Sequence, residues 1–355
     1  MKPSKYRILF VSQDAGGFQA IIPVYRRLKQ RKTFVVSGIF GDIVRVLPSA
    51  RGLKLTKPST LTDADLHKAF DRLRPQLVVT GPSAAATSLD KRAMALAKKH
   101  SIPTLMIADN CMNTDMLFAK GEDEKERIFP DRICVMNDTC SLEMKNGSVP
   151  SELLRVTGSP YFDTVTSALA KSKTKKRILL FICQPFSEFV SEFPDGGFGY
   201  LEQDVFADVA AAANRIGGFD EILVRWHPRT RNHHKFDVTK DGSVIPMRFD
   251  SKSSLHQLIR DASLVVGMNS TALMDAALAG KPVVSYQPGL NRRDALMTNA
   301  WGLSTLVTKK QQLFLAMRRA LRKKSSKKSD RVREKFLPSG ATNRVIRVIQ
   351  EMLNV

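Results

Sequence analysis

Residues 262–288 read ASLVVGMNSTALMDAALAGKPVVSYQP, and this stretch determines the fold that the sequence predicts. The apolar run LVV predicts a strand, the polar group NST a turn, and ALMDAAL a helix made of good helix formers. Gly280 stands where a glycine commonly ends a helix, and VVSY predicts a second short strand. This order of elements predicts a parallel sheet, whose ligand crevice lies at the carboxyl ends of the strands.

The start of the predicted helix is a candidate binding site for a phosphate group. Unpaired backbone N–H groups and the positive end of the helix dipole attract anions at such a position. Ser270 and Thr271 can cap this end or bind a ligand, and Asn269 precedes them. Asp275 lies about one turn further on and can approach the same edge. A capped helix in a parallel sheet without a ligand is the alternative.

The stretch resembles the donor-binding segment of two-domain (GT-B) glycosyltransferases, the related sugar-nucleotide 2-epimerases and the polyol-phosphate transferases of bacterial wall polymers. The matching positions are Asn269, Ser270, Thr271, Asp275, Gly280, Pro282 and Val283. The resemblance implies an α/β protein of two Rossmann-like domains, with mostly parallel sheets that face a cleft. It also implies that the second domain binds a nucleotide-sugar donor.

The composition is that of a folded, enzyme-sized protein. The chain has 355 residues and 43% hydrophobic content, enough for two domains with separate cores. It has no run of about 18 apolar residues and no segment typical of a signal peptide, so we expect a cytoplasmic location. The four cysteines form no Cys-x-x-Cys pair, which favours buried thiols over disulfides or zinc. We therefore expect no metal site.

Positive charge is concentrated near the end of the chain. The formal net charge is +22, and the segment from Lys309 to Lys335 holds twelve Lys or Arg against Asp330 and Glu334. Such a segment favours a polyanionic partner: an anionic membrane surface, an acidic glycan or nucleic acid. A peripheral contact at the inner face of a membrane and a solvated basic face without a partner both stay open. We do not expect nucleic acid as the biological partner, because the chain has no aromatic-basic RNA-binding motif.

The N-terminal half alternates apolar runs with helical patterns, as a mostly parallel sheet requires. The predicted strands are 6–12, 34–40, 76–80, 104–108 and 132–136, and the predicted helices are 18–30, 64–73 and 87–100. No Gly-x-Gly-x-x-Gly fingerprint follows the first strand, which disfavours a Rossmann oxidoreductase. Gly16 and Gly17 allow the loop before the first helix to approach an acceptor closely.

Two aspartates, Asp14 and Asp109, come directly after predicted strands. Either carboxylate can act as a general base that deprotonates an acceptor alcohol. Alternatively, each aspartate only caps the turn or helix that follows it.

A polar, basic segment at 168–177 precedes a new strand at 178–182, so we place a hinge between two domains there. We expect an acceptor domain at 1–167, a donor domain at 168–340, and a closing helix at 341–355 that packs back toward the junction. The basic helix predicted at 311–324 is amphipathic and is expected to pack on the second domain.

Two strands of the second half end in similar turns. The strand at 178–182 leads into Gln184 and Pro185, and the strand at 221–226 leads into His227 and Pro228. This pair resembles motifs of bacterial transferases that use CMP-linked acidic sugars, such as Kdo transferases. The His-Pro turn also resembles that of sialyltransferases and CDP-glycerol phosphotransferases.

The resemblance implies a catalytic role for His227 at the donor phosphate or sugar carboxylate. It places the rest of the first turn in the donor pocket, and the two flanking arginines are candidates for phosphate contacts. The residues concerned are Gln184, Pro185, Ser187, Glu188, Arg225, Pro228 and Arg229.

These features predict a metal-independent GT-B glycosyltransferase that uses no cofactor. We favour a CMP-linked donor over a UDP-linked one. We expect the acceptor to be a cell-surface glycan or a lipid-linked molecule. The alternatives are a UDP-N-acetylglucosamine 2-epimerase, a polyol-phosphate transferase of the CDP-glycerol type, and a non-enzymatic polyanion-binding protein. Against the epimerase stand two departures from its expected pattern, at 184–188 and at 269–271. The first lacks the expected His-Arg-Arg-Glu-Asn-like loop, and the second lacks the double-glycine, glutamate-rich turn.

Overall fold

The computed structural model describes residues 5–57, 60–83, 85, 87–111, 114–119, 126–168, 174–189, 197–227, 230, 244–322, 334–336 and 338–355. The chain forms two compact units. Unit 1 consists of Met1–Thr164 and Phe336–Val355, and unit 2 of Val165–Lys335. The chain therefore forms most of unit 1, then unit 2, and its last residues return to unit 1.

Unit 1 contains a parallel sheet in which seven strands are described, in the order β3-β2-β1-β4-β5-β6-β7. The strands are β1 Tyr6–Ser12, β2 Phe34–Gly41, β3 Leu55–Thr56, β4 Leu77–Thr80, β5 Thr104–Ile107, β6 Arg132–Val135 and β7 Leu154–Val156. The helices are α1 Ala15–Lys29, α2 Asp63–Leu73, α3 Leu89–Lys99, α4 Thr114–Phe118, α5 Asp138–Asn146 and α6 Pro160–Ala168. Short 3₁₀ turns occupy Asp42–Val46, Pro48–Ala50 and Ser151–Leu153.

The strand order of unit 1 reverses between β1 and β4, and such a switch point opens a crevice at the carboxyl ends of the strands. The core of β1 is buried on both faces, as its uninterrupted apolar run predicts. Around it, Phe10 and Phe40 both pack edge-on against Tyr25, with centroids 5.5 and 5.4 Å apart.

Unit 2 contains a second parallel sheet, with six described strands in the order β10-β9-β8-β11-β12-β13. The strands are β8 Ile178–Ile182, β9 Glu221–Arg225, β10 Met247–Asp250, β11 Ala262–Gly267, β12 Val283–Tyr286 and β13 Thr305–Val307. The helices are α7 Phe186–Phe189, α8 Glu202–Ile216, α9 Leu255–Asp261, α10 Thr271–Leu278, α11 Met297–Ala300 and α12 Lys310–Arg322. The switch point lies between β8 and β11. The predicted α/β class with two mostly parallel sheets is confirmed.

The last helix, α13 Ala341–Met352, belongs to unit 1. Its Val345, Ile346 and Ile349 join the core formed by α1 and the inner strands. The Asp163 carboxylate of α6 accepts hydrogen bonds from the backbone N–H groups of residues 340, 341 and 342, at 2.9, 3.2 and 2.7 Å. This aspartate therefore caps α13 from a distant part of the chain.

Helix α1 corrects one boundary that the sequence predicted. It begins at Ala15 rather than at residue 18, so Gly16 and Gly17 lie in its first turn and not in a free loop. The sequence also gave no signal for β10 and β13, because these short strands are only partly buried and carry no continuous apolar run.

Helix α12 packs on unit 2 through Leu313, Met317 and Ala320, as its amphipathic pattern predicts. All four cysteines are buried thiols. Among the helices that the structure describes, none is long and apolar enough to cross a lipid bilayer.

Candidate active site

In unit 2, the turns after β8 and β11 are joined by a hydrogen bond at the switch point of the sheet. The Gln184 side-chain Oε1 accepts from the backbone N–H of Asn269, with N and O 3.1 Å apart. Both residues are half-buried. The structure therefore brings together two residues that the sequence assigned to one donor pocket, although they lie 85 positions apart.

The two hydroxyl groups at the start of α10 have different surroundings. The Ser270 hydroxyl is buried and accepts from the backbone N–H of Ala272 at 3.2 Å, so it caps the helix. Thr271 is exposed, as the first residue of the helix. Of the two, Thr271 has the side chain that a ligand in solvent can reach.

Asp275 faces α9. It is buried, and its Oδ2 lies 3.7 Å from Nε2 of His256. The sequence analysis predicted that Asp275 approaches the ligand edge and missed His256, because the segment around His256 has no helical period strong enough to orient it. This contact places Asp275 in the packing between α9 and α10.

Arg225 forms an ion pair within the sheet. Its Nη1 donates to Oδ1 of Asp250 at 2.9 Å, and the two side chains are only 15% and 11% exposed. Asp250 also accepts from the Ser253 hydroxyl at 2.6 Å. The Arg225 guanidinium, a predicted phosphate ligand, is therefore already paired with a carboxylate.

His227 follows β9 directly and is half-buried. Its backbone carbonyl accepts from the N–H of Thr230 at 3.0 Å, which closes the turn. Pro228 and Arg229, which complete the predicted motif, lie outside the described residues. The structure thus places His227 after the carboxyl end of a strand in the same parallel sheet in which Gln184 and Asn269 follow the ends of two other strands.

The turn after β8 packs against α8. The Ser187 backbone N–H donates to the buried Glu202 carboxylate at 2.9 Å, and the Ser187 hydroxyl bonds to the other oxygen of that carboxylate. Pro185 is buried, and its carbonyl accepts from the N–H of Glu188 at 3.1 Å. These contacts fix the shape of the turn that holds Gln184.

An aromatic pair that the sequence analysis did not single out lies beside this turn. Phe186 stacks on Phe198, with ring centroids 4.8 Å apart and planes 29° apart. The Arg292 guanidinium lies 5.4 Å from the Phe198 centroid. Gly199 (φ +89°) and Gly289 (φ +69°) let the backbones of these two loops touch.

In unit 1, the carboxylate of Asp109 lies against Gly16, where a Cβ atom would collide with it. The next glycine, Gly17, has no room for a side chain because the backbone of Gly81 and Pro82 passes close to it. The predicted role of these glycines was close approach to an acceptor. The structure shows a close approach within unit 1, between α1 and the loops after β4 and β5.

The carboxylate pair Asp14 and Asp109 lies at the carboxyl edge of this sheet. Asp14 occupies the cap position of α1 but its side chain makes no cap hydrogen bond, and its backbone N–H donates to the Ser83 hydroxyl at 3.3 Å. Asp109 accepts from the Asn110 side-chain amide at 2.8 Å. Burial foremost, and then the charge of Asp14, raise the pKa of Asp109 to about 6. The two candidate bases therefore influence each other electrostatically.

Two charged residues beside this pair were missed: Asp90 and Lys91, at the start of α3. Both are buried. Sequence analysis treats charged residues in a helix as its solvent face, so no local pattern identifies them. Among the described residues, no three His, Cys, Asp or Glu side chains come together as ligands for a metal ion.

No family model and no curated protein sequence matches this chain. Solved structures do resemble it over nearly the full length of both chains. UDP-GlcNAc 2-epimerase from Neisseria meningitidis, bound to UDP-GlcNAc, is 15% identical with a TM-score of 0.64, over 98% of this chain and 100% of that one. UDP-GlcNAc 2-epimerase from Methanocaldococcus jannaschii is 15% identical with a TM-score of 0.69, over 97% and 99% of the two chains.

A third similar structure is described as the glycotransferase of kitacinnamycin. It is 12% identical with a TM-score of 0.65, and the match covers 99% of this chain and 100% of that one. At such low identity the likeness establishes the fold, which is the GT-B-like two-domain architecture that the sequence predicted.

Proposed function

We propose that this chain is an enzyme that acts on a nucleotide-linked sugar. The observation that carries the proposal is the pair Asp14 and Asp109, which lies at the carboxyl edge of the sheet in unit 1, next to the switch point between β1 and β4. Support also comes from the fold, since proteins of this architecture include UDP-GlcNAc 2-epimerases and a glycotransferase.

In this proposal unit 2 binds the nucleotide. The start of α10 offers backbone N–H groups and the exposed hydroxyl of Thr271 to the phosphates. Gln184 holds the turn before α10 in place through Asn269, and His227 ends a strand of the same sheet. These groups stabilise negative charge on the phosphate as its bond to the sugar breaks.

The first candidate reaction is inversion of the sugar at the carbon next to its anomeric centre. Such an inversion removes a proton from one face of the sugar and returns a proton to the other face, so it needs two acid-base groups. Two carboxyl groups in unequal surroundings suit this chemistry. The two departures from the epimerase pattern, at 184–188 and 269–271, concern the nucleotide side and not the carboxylate pair.

The second candidate is glycosyl transfer to a surface glycan or lipid-linked acceptor, with a CMP-linked donor ahead of a UDP-linked one and no metal ion. The link between the Gln184 turn and Asn269 favours it, because the resemblance to CMP-sugar transferases rests on the Gln-Pro and His-Pro turns. Transfer needs only one of the two carboxylates as base. The basic segment from Lys309 to Lys335 would then favour an anionic acceptor or membrane surface.

The two reactions are separated by incubation with UDP-N-acetylglucosamine alone in deuterium oxide, followed by proton NMR. An epimerase changes the sugar and incorporates deuterium at the inverted carbon without an acceptor. Asp14→Asn and Asp109→Asn should each abolish this change. If UDP-linked sugars stay unchanged while a CMP-linked sugar is consumed only with an acceptor, transfer is the function. If no nucleotide among UDP, CMP, CDP and GDP raises the melting temperature, the proposal is wrong.

A further inference from the structure

A cavity of about 630 Å³ opens at the amino edge of the sheet in unit 2. Its walls come from the segment before β8, the starts of β11 and β12, and the end of α12. Because the described strands are parallel, this edge is opposite to the one at which Gln184 and Asn269 lie. The volume falls in the usual range of small-molecule sites, roughly 300–1,000 Å³. The function proposed above makes no use of this cavity.

The lining of the cavity carries an excess of positive charge. Among the described residues that line it, the cations are Lys176, Arg177 and Lys281, and the carboxylate is that of Asp261. This carboxylate is already paired with the neighbouring Arg260, whose Nε lies 3.2 Å from Oδ1 and whose Nη2 lies 3.5 Å from Oδ2. Asp261 therefore compensates the charge of its neighbour, and the three cations of the lining favour an anionic ligand.

Lys281 is fixed at this cavity by two carbonyl groups. Lys281 is half-buried, and its ammonium donates to the carbonyl oxygens of Arg260 and Ala262, with Nζ and O 2.5 and 2.9 Å apart. An ammonium has three N–H donors, so these two bonds leave one donor for a ligand. Because carbonyl groups have no formal charge, the bonds orient the ammonium but do not neutralise it. A half-buried cation attracts an anion more strongly than a cation in water does.

Arg177, the last residue before β8, is also held in place by contacts of its own. Its guanidinium lies over Phe219, 4.9 Å from the ring centroid, and its Nη1 donates to the Gly217 carbonyl oxygen at 3.4 Å. Its backbone N–H donates to the carboxylate of Asp220 at 2.6 Å. A side chain that is ordered before binding loses little conformational entropy when a ligand arrives. A guanidinium has five N–H donors, which allows a bidentate contact with phosphate oxygens.

Groups that bind hydroxyls lie among the cations. Ser263, at the start of β11, and Thr174 line the same cavity. The Lys176 backbone N–H donates to the Thr174 hydroxyl at 3.1 Å, which fixes the turn before β8. The Ser263 hydroxyl and the oxygens of Asp261 can bond to hydroxyl groups of a ligand, since each carboxylate oxygen accepts more than one hydrogen bond. The lining therefore suits a molecule that has both an anionic group and hydroxyl groups.

We propose that this cavity is a second binding site of the chain, for a sugar phosphate. The phosphate group binds to the cations Lys176, Arg177 and Lys281. The sugar hydroxyl groups bind to Ser263 and Asp261. The site lies within unit 2 alone, at the edge of the sheet away from Gln184 and Asn269, and it does not depend on the function proposed above.

Titration of the full chain with glucose 6-phosphate tests the site. Lys176→Met should raise the dissociation constant about tenfold, because one cation of the phosphate contact is lost. Lys176 is exposed, so this variant should fold as the parent does. Lys175→Met is the matched control, since Lys175 is also exposed but is not among the described residues that line the cavity, and it should change the constant less than about twofold. Equal losses in the two variants would show a diffuse basic surface and overturn the proposal.

The two parts of the ligand can be tested separately with inorganic phosphate and with glucose. Ser263→Ala should weaken the binding of glucose 6-phosphate and leave that of inorganic phosphate unchanged, because only the sugar contact is removed. If inorganic phosphate binds to the parent as tightly as glucose 6-phosphate does, the sugar assignment is wrong. If glucose 6-phosphate does not bind at concentrations up to about 10 mM, the whole proposal is wrong.

Backbone amide NMR of the full chain shows where the ligand binds. The signals of Lys176, Ala262 and Ser263 should move during the titration, and those of Gln184 and Asn269 should not. Saturating UDP should leave the dissociation constant of glucose 6-phosphate unchanged. Competition by UDP, or shifts confined to the carboxyl edge, would place the sugar phosphate in the candidate active site and overturn the proposal. Because these measurements need no turnover, a chain that converts no nucleotide-sugar would refute the proposed function and leave this inference standing.

Discussion

The carboxylate of Asp109 occupies the space beside Gly16 in which a Cβ atom would stand. Gly16→Ala should therefore displace Asp109 or the first turn of α1, with a loss of roughly 1–3 kcal/mol in the free energy of unfolding. The measurement is urea unfolding. Asp109→Ala in the same chain should remove most of that cost, since the Cβ atom of Asp109 lies 3.8 Å from the added methyl group. A double variant that is no more stable than Gly16→Ala alone would contradict the contact.

The buried carboxyl group of Asp90 should make stability depend on pH. Burial, as the main cause, raises its pKa from 3.8 to about 6. Between about pH 4 and 6 the folded chain keeps a proton that the unfolded chain releases, so this group makes unfolding easier as pH rises through that window.

Asp90→Asn removes this effect. At pH 7.5 we expect it to raise the free energy of unfolding by roughly 1–3 kcal/mol, and at pH 4 to leave it unchanged. Thermal unfolding at both values tests this, with the exposed Asp71→Asn as the matched control. A variant that gains as much at pH 4 as at pH 7.5 would show that charge burial is not the reason.

The pair Arg225 and Asp250 predicts a loss of stability rather than of nucleotide binding. Arg225→Met removes the closer of two cations beside the Asp250 carboxylate and leaves Arg248, whose Nη1 lies 3.6 Å from Oδ2 of Asp250. We expect a loss of roughly 1–3 kcal/mol in the free energy of unfolding. Asp250→Asn together with Arg225→Met should be less harmful than the sum of the two single changes. Because the guanidinium is already paired, the dissociation constant of the bound nucleotide should change less than threefold. A tenfold weaker affinity would instead support the phosphate contact that the sequence predicted.

The cap on α13 can be weakened without touching the core. Asp163→Ala leaves three backbone N–H groups at the start of the helix without their acceptor, and we expect a loss of about 1–2 kcal/mol. Asp163→Asn keeps an acceptor oxygen and should lose less. Hydrogen exchange at residues 340–342 reports the change directly, and exchange as slow as in the parent would contradict the cap.

The sequence predicted the fold well where apolar runs are long and glycine or proline marks their ends. Strand β11, helix α10 and strand β12 follow the stretch at 262–288 nearly residue by residue. The sequence analysis did not predict the three-residue strand β13, because most of this strand is exposed and therefore carries no hydrophobic signal. Buried strands and helices could thus be predicted from the sequence, whereas largely exposed ones could not.

The candidate site could be predicted from the sequence only in part. Gln184 and Asn269 each follow a strand, so a parallel sheet brings them to one edge, and they do share a hydrogen bond. Asp275 shows the limit of such reasoning. It acquires its partner, His256, from another helix, and sequence spacing carries no information about contacts of that kind.

The return of the chain to unit 1 has a consequence for biosynthesis. The β-strands of unit 1 leave the ribosome early, yet Val345, Ile346 and Ile349, which complete its hydrophobic interior, are made about 180 residues after Thr164. Until α13 has been synthesised, the apolar face that it covers in unit 1 stays exposed. The nascent chain therefore carries this exposed apolar surface while unit 2 is translated. Unit 1 is the first unit to be synthesised, but its hydrophobic core is completed only after unit 2 has been made.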